Sequence, residues 1–270
     1  MMMSFLNHEL MHQFDTKTFR QQQPFPHTLF KDLLRPKAFD LLYREFPSLD
    51  LFERHVNVAR NATGQRPHNR YYLALQQSIY HDKQAGSRGV ATLAQLPVSW
   101  QAFVTELQTS TAYHEFLARM LGIEDFDARY AWHVGENSSE VSPHCDSLEK
   151  LATHIFYFNT SADWDLSWGG SIIVLDGKQV PQDNPEISDF RHAEAFDIRD
   201  NRSFLFQNTA RAWHAVEALT SPAGHYRRLF NVIIQVPKGK KLRHFDPSRW
   251  QNRLRRGLML GSIISGRSGR

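Results

Sequence analysis

A single cysteine, Cys145, stands in this 270-residue chain. No intrachain disulfide can form from it, and neither a cysteine-based zinc site nor an iron–sulfur cluster can be built. Long apolar runs are missing too. None follows Met1-Met2-Met3-Ser4, and Leu258 to Ile264 is interrupted by Gly261 and far shorter than the ~20 residues needed to cross a bilayer. These absences predict a soluble, cytoplasmic protein in a reducing compartment, where the sequon Asn61-Ala62-Thr63 goes unused in a loop. The chain also lacks internal repeats and long low-complexity tracts, which excludes solenoids and collagen-like architectures.

What is present suffices for a sizeable core: 41% of residues are hydrophobic and 12% aromatic, a length and composition suited to one large domain. The net charge of +4 is unevenly placed. From Lys238 onward there are ten Lys and Arg against the lone Asp246, a surplus of nine that leaves the first 237 residues at −5. Basicity is therefore a property of the tail.

Taken in order, residues before about Leu29 are polar, with Gln21-Gln22-Gln23, Pro24 and Pro26, and predict a loose lead-in or an edge strand. Pro36 suits a first helical turn, and Phe39, Leu42, Tyr43 and Phe46 recur at helical spacing before Pro47. From Leu51 to Leu96 the pattern is cut by Gly64, Pro67, Gly86 and Gly89. Tyr71-Tyr72-Leu73 is its clearest strand signal, and its polar and aromatic side chains are where substrate contacts are expected. Ser99 is a candidate N-cap for a helix from Trp100 to Leu107, and Ser110 for a second one ending at Gly122. Strands follow: Ala128 to Val134, then a turn at residues 135–139, Leu151 to Asn159, Ser171 to Leu175 after Gly169-Gly170, Ser203 to Phe206, and Arg227 to Gln235. Helices first and short strands afterwards predict an α+β fold with an antiparallel sandwich or barrel in its second half.

The chemistry concentrates in residues 142–236. His144 and Asp146, in Pro143-His144-Cys145-Asp146, lie two residues apart, so in an extended segment their side chains point the same way while Cys145 points elsewhere. His214, in Trp213-His214, follows an apolar strand and a polar turn, and is placed to reach the same ion from another strand. Two imidazoles and a carboxylate on one face leave three positions of an octahedral ion open, the donor set of non-haem Fe(II) oxygenases. Beyond them Arg227-Arg228 begins an apolar strand. An arginine directed into an apolar barrel is costly unless an anion meets it, so an inward guanidinium implies an anionic ligand.

These pieces, together with residues 151–159 (LATHIFYFN), Trp168-Gly169-Gly170-Ser171-Ile172, Trp213-His214-Ala215-Val216 and residues 227–232 (RRLFNV), resemble the Fe(II)/2-oxoglutarate-dependent oxygenases, within them the prolyl-hydroxylase-like branch. The resemblance implies a double-stranded β-helix (jelly-roll) core over 128–237, a helical and loop region over 1–127 packed on the outside of the sheet, and a basic tail over 238–270. It implies His144, Asp146 and His214 as the iron ligands and the catalytic centre. It implies Arg227, with Arg228 as the fallback, and Tyr157 as anchors of the far carboxylate of 2-oxoglutarate, with Asn231 as a further cosubstrate contact. If Tyr157 faces inward, so do Thr153, Ile155 and Asn159, while His154, Phe156 and Phe158 face the helices. A second aromatic that many prolyl hydroxylases place before the His-x-Asp loop falls by position on Val134, beside Trp132 and His133.

The implied reaction consumes Fe(II)-bound 2-oxoglutarate and O2, releases succinate and CO2, takes ascorbate as activator, and hydroxylates a small molecule, an amino acid or a protein side chain. Two other classes compete. One is a cupin-like, non-redox metalloenzyme using the same three ligands. The other is a binding module, in which the basic tail from Lys238 to Arg256 contacts nucleic acid or an anionic membrane surface.

Overall fold

The computed structural model describes residues 4–60, 65–78 and 82–238. The sequon at Asn61 and the tail beyond Lys238, with its nucleic-acid or membrane reading, lie outside the described residues. In chain order the elements are α1 (His8–Gln13), α2 (Thr16–Gln21), β1 (His27–Lys31), α3 (Pro36–Arg44), β2 (Glu53–Arg60), β3 (Gln65–Leu75), β4 (Val90–Ala91), α4 (Val98–Thr109), α5 (Thr111–Leu121), β5 (Asp127–Gly135), β6 (Val141–His144), β7 (Lys150–Tyr157), β8 (Ile172–Lys178), β9 (Phe190–Phe196), β10 (Arg202–Gln207), β11 (His214–Val216) and β12 (Arg227–Gln235). No described helix is long and apolar enough to cross a membrane.

The strands form two sheets. The larger runs β1-β10-β7-β12-β5-β3-β2, with β4 added in parallel to β3, and the smaller runs β6-β11-β8-β9. This is the α+β jelly roll expected, with helices on the outer face of the larger sheet.

Strict alternation along β12 shows how the layers arise. Phe230, Val232 and Ile234 belong to the apolar layer shared with the helices, while Arg227, Leu229, Asn231 and Ile233 line a cavity between the sheets. Strand β7 divides the same way. Phe156 and Phe158 meet the helices, and Thr153, Ile155 and Tyr157 line the cavity. Trp100 on α4 is the hub of the outer layer, its ring centre 4.9 Å from that of Phe158, 5.3 Å from Phe230 and 5.4 Å from Trp132, its indole N–H donating to the Leu42 carbonyl at 3.1 Å. Aromatic clustering of this kind adds edge-to-face attraction to simple burial.

His154 lies on the helical side. Its Nδ1 meets the Tyr113 hydroxyl at 2.9 Å and its Nε2 the Ser203 hydroxyl at 3.2 Å, and it is fully buried. Burial pushes its pKa down to about 3, so the folded protein holds it neutral. Because the folded pKa lies below the unfolded one, the unfolded chain takes up a proton first as pH falls. The contribution is complete above the unfolded value near 6.5 and is lost as pH drops toward about 3. Urea unfolding is expected to show roughly 2 kcal/mol less stability at pH 5 than at pH 7 from this group, a difference that His154→Gln should remove.

Several elements depart from the sequence expectations. The lead-in contains two short helices before the edge strand β1. Asn7 caps α1 by accepting from the Leu10 N–H at 3.2 Å, and Asp15 caps α2 by accepting from Lys17 N at 2.9 Å and Thr18 N at 3.2 Å. Six residues are too few for a periodicity to register, so only the caps carried the signal. Helix α4 starts ahead of Ser99, which is buried within it, and Pro97 occupies the N-cap. Ser110 and Gly122 do cap α5, the glycine with φ 68°. The stretch from Leu51 to Leu96, where the sequence marks only a strand at Tyr71-Tyr72-Leu73, supplies β2 and β4 besides β3, which contains that signal, and extends the larger sheet. Asn159 does not face the cavity: its amide donates to Tyr226 O at 2.9 Å and accepts from Arg228 N at 2.8 Å, closing the sheet's end. Val134 packs with the helices, and its neighbour His133 lines the cavity.

Candidate metal centre

His144 and His214 are cross-strand partners on β6 and β11, and their ring centres lie 4.3 Å apart. Each ring is oriented by its own backbone. Nδ1 of His144 is 2.9 Å from the Ser142 carbonyl, and Nδ1 of His214 is 3.0 Å from the Ala212 carbonyl. A carbonyl can only accept, so each Nδ1 carries the proton and each Nε2 presents its lone pair. Asp146 supplies the third donor. One ligand atom from each of the three side chains lies within 4.8 Å of the others, a spacing one ion can close.

The carboxylate is held from two sides. Lys150 Nζ donates to Oδ1 at 2.6 Å, and the Thr153 hydroxyl to Oδ2 at 3.4 Å. Burial alone would raise the Asp146 pKa. Lys150, His214 and His144 outweigh it and hold the carboxyl well below the usual range, so the group stays ionised. Two imidazoles and one carboxylate are the facial donor set for a divalent metal with open positions.

At the other end of the cavity Arg227 is buried, 7% exposed, with Nε donating to the Gly170 carbonyl at 2.6 Å and the guanidinium carbon 5.3 Å from the centre of the Tyr157 ring. Burial pushes the Arg227 pKa down, Tyr157 pushing the other way. The Tyr157 hydroxyl is buried without a hydrogen-bond partner, and burial raises its pKa to about 12 against the opposing pull of Arg227. The Asn231 side-chain oxygen also lines the cavity without a partner. Arg228 points the other way. It pairs with Asp163 and lies 4.6 Å from the Tyr43 ring, on the helical side.

Gly170 adopts φ +87°, and a Cβ there would sit 3.0 Å from Cδ of Arg227. Gly170→Ala is expected to lose about 1–2 kcal/mol in urea unfolding from the left-handed backbone and, by displacing Arg227, to weaken anion binding in the cavity. Gly224→Ala is the control, with φ +85° and nothing within 4 Å of the new atom. It should show the backbone cost alone.

Sequence reasoning missed Lys150, expected substrate contacts in the stretch that holds Arg70 and Tyr72 without assigning either a role, and named His133 only as a neighbour of Val134; all four line the cavity. Lys150 follows Asp146 by four residues, a spacing that carries no meaning until β7 folds back beside the loop. Arg70 and Tyr72 needed the β2–β3 pairing, which gave no clear alternation.

A His-x-Asp and a distant His that converge in a jelly roll, in one cavity with a buried arginine, carry the donor set that non-haem Fe(II) oxygenases use. Residues 126–235 match the family model of the 2OG-Fe(II) oxygenase superfamily, so the jelly-roll part of the chain is similar to the core of the enzymes of that superfamily. No curated protein matches the chain. Solved structures share the fold. A prolyl hydroxylase from Trichoplax adhaerens in complex with a hypoxia-inducible-factor peptide is 12% identical, covers 86% of this chain and 91% of its own, and superposes with a TM-score of 0.54. A prolyl 4-hydroxylase from Phytophthora capsici is 14% identical over 95% and 76%, with a TM-score of 0.56. The epimerase SnoN of nogalamycin biosynthesis is 13% identical over 82% and 80%, with a TM-score of 0.52.

Proposed function

We propose that the protein is an Fe(II)- and 2-oxoglutarate-dependent hydroxylase in which His144, Asp146 and His214 hold the iron and Arg227 and Tyr157 hold the far carboxylate of 2-oxoglutarate. The observation that carries the reading is the buried Arg227 guanidinium beside the partnerless Tyr157 hydroxyl, in the same cavity as the three ligands. A buried cation needs an anion, and a fork of donors with a phenol O–H alongside suits a carboxylate. A non-redox enzyme on the same ligands would have no use for this pair. Asn231 is a further cosubstrate contact on the same face.

Bound Fe(II), 2-oxoglutarate and O2 supply the oxidising power, the balanced reaction being R–H + 2-oxoglutarate + O2 → R–OH + succinate + CO2. The chain's own residues orient and protect. The Ser142 and Ala212 carbonyls keep both imidazoles in the ligating tautomer. Lys150 and Thr153 hold Asp146 ionised and fixed. Arg227, itself fixed by the Gly170 carbonyl, sets how far 2-oxoglutarate reaches toward the ligands. Ile155, Ile172 and Leu229 give the cavity apolar walls that limit water.

Purified protein supplied with Fe(II), ascorbate and O2 is expected to convert 2-oxoglutarate to succinate slowly without its own substrate. Succinate is measured against a sample kept anaerobic. Equal succinate in both would sink the oxygenase reading. The substrate is a small molecule, an amino acid or a peptide side chain. The fold neighbours named as hydroxylases and as an epimerase support a C–H bond as the point of attack.

A further inference from the structure

We infer that Asn208 is a positioning residue of the metal centre, its side-chain amide fixing the turn that joins Asp146 to Lys150 and so setting how tightly Fe(II) is held. The inference deepens the function proposed above, naming a control on its metal site, and rests on it.

Asn208 directly follows β10 and is 3% exposed. Its backbone N–H donates to the Leu151 carbonyl at 2.9 Å, which carries the β10–β7 pairing one residue further. From there the side chain reaches back along the turn. Nδ2 donates to the Ser147 carbonyl at 2.8 Å and to the Lys150 carbonyl at 2.9 Å. The Lys150 N–H closes the turn on the same Ser147 carbonyl at 3.2 Å, so one amide grips both ends of residues 147–150. Those residues follow Asp146 directly, and their turn is what returns Lys150 Nζ to the Asp146 carboxylate at 2.6 Å. The rest of the segment braces the other ligands. The Ala210 carbonyl lies 3.8 Å from Sγ of Cys145, the residue between His144 and Asp146, and the Ala212 carbonyl orients His214.

The donor count explains why asparagine stands here. Two carbonyls that can only accept need two N–H groups from one short side chain, which a primary amide has, whereas aspartate of the same size and leucine have none. The other end of the amide works against stability. Oδ1 is buried without a hydrogen-bond partner, and an acceptor left unpaired away from water is unfavourable. A side chain that served only to fill the core would carry no such atom. Val236 N–H meets the Glu149 carbonyl at 3.1 Å and ties the corner of the turn to the end of β12. Without Asn208 the chain therefore stays in place while the two ends of the turn lose their common anchor. A group that holds a ligand's partner in position tunes the metal by the same route as the partner itself.

The full chain and its variants are titrated anaerobically with Fe(II) alone, and the dissociation constant is read by competition with a chromogenic chelator. Asn208→Ala is expected to raise that constant about tenfold, the low end of the 10- to 100-fold that follows loss of a group supporting a metal ligand. Lys150→Met should raise it comparably. Combining the two should add no more than about twofold to the larger single change, because both act through one turn, whereas independent losses would multiply. Asn208→Ser, which keeps one donor, should show a smaller rise than Asn208→Ala. Near-ultraviolet circular dichroism of the metal-free variants reports whether the aromatic layer is intact. If Asn208→Ala fails to fold, Asn208→Ser carries the comparison, and failure of both makes Asn208 a core residue and overturns the inference. An unaltered constant in a folded Asn208→Ala, multiplication of the single effects, or tighter binding in Lys150→Met also overturns it. Fe(II) held equally by the unmodified chain and by His214→Ala overturns the ligand reading itself, and this inference with it.

Discussion

His214→Ala is expected to abolish succinate formation and to weaken Fe(II) binding by more than the 10- to 100-fold that follows loss of a group merely hydrogen-bonded to a metal ligand. The effect should be the same for His144→Ala, because the two rings are cross-strand partners with matched backbone anchors. Anaerobic Fe(II) titration separates the loss of metal from a loss of fold, since removing one imidazole from the cavity leaves the aromatic layer around Trp100 untouched. Cys145→Ser supplies the contrast. Its sulfur lies 3.8 Å from the Ala210 carbonyl, so metal affinity and turnover should stay close to those of the unmodified chain. Unaltered Fe(II) affinity in both histidine variants would remove the ligand assignment.

The parts of this site legible in the sequence are those where strand alternation alone decides a direction. In β7 and β12 a residue's parity says whether it meets the helices or the cavity, which separates Tyr157 from Phe156 and Arg227 from Arg228. Parity failed where a strand ends. Asn159 lies beyond β7 and turns its amide to backbone groups. It was silent for β2 and β3: in β3 Arg66, His68, Arg70 and Tyr72 alternate with Pro67, Asn69 and Tyr71, so no apolar–polar contrast marks a face. Register supplied what periodicity could not: only the β3–β5–β12 pairing brings Arg70 and Tyr72 to the cavity that Arg227 lines. Lys150 shows the same dependence, its meaning set by a loop that returns it to Asp146 at 2.6 Å.

Arg227→Gln is expected to raise the dissociation constant for 2-oxoglutarate by about 30-fold to several-thousand-fold, the 2–5 kcal/mol typical of truncating one partner of a buried charge pair. Glutamine keeps a donor near the Gly170 carbonyl but forfeits the charge and the fork. Arg228→Gln should leave that constant within about twofold, because its guanidinium serves Asp163 and the Tyr43 ring on the opposite face. Its cost should fall on stability, about 1 kcal/mol or less for an ion pair so near the surface. Tyr157→Phe adds a third measurement. With its hydroxyl buried and partnerless in the free protein, the change removes an unsatisfied group, so the free enzyme should gain stability even as 2-oxoglutarate binds less tightly. Opposite signs for stability and affinity at one residue distinguish a side chain that awaits a ligand from one that merely fills the core. The reverse order of the two arginines would move the cosubstrate to the helical face, away from the three metal ligands, and with it the proposed chemistry would fail.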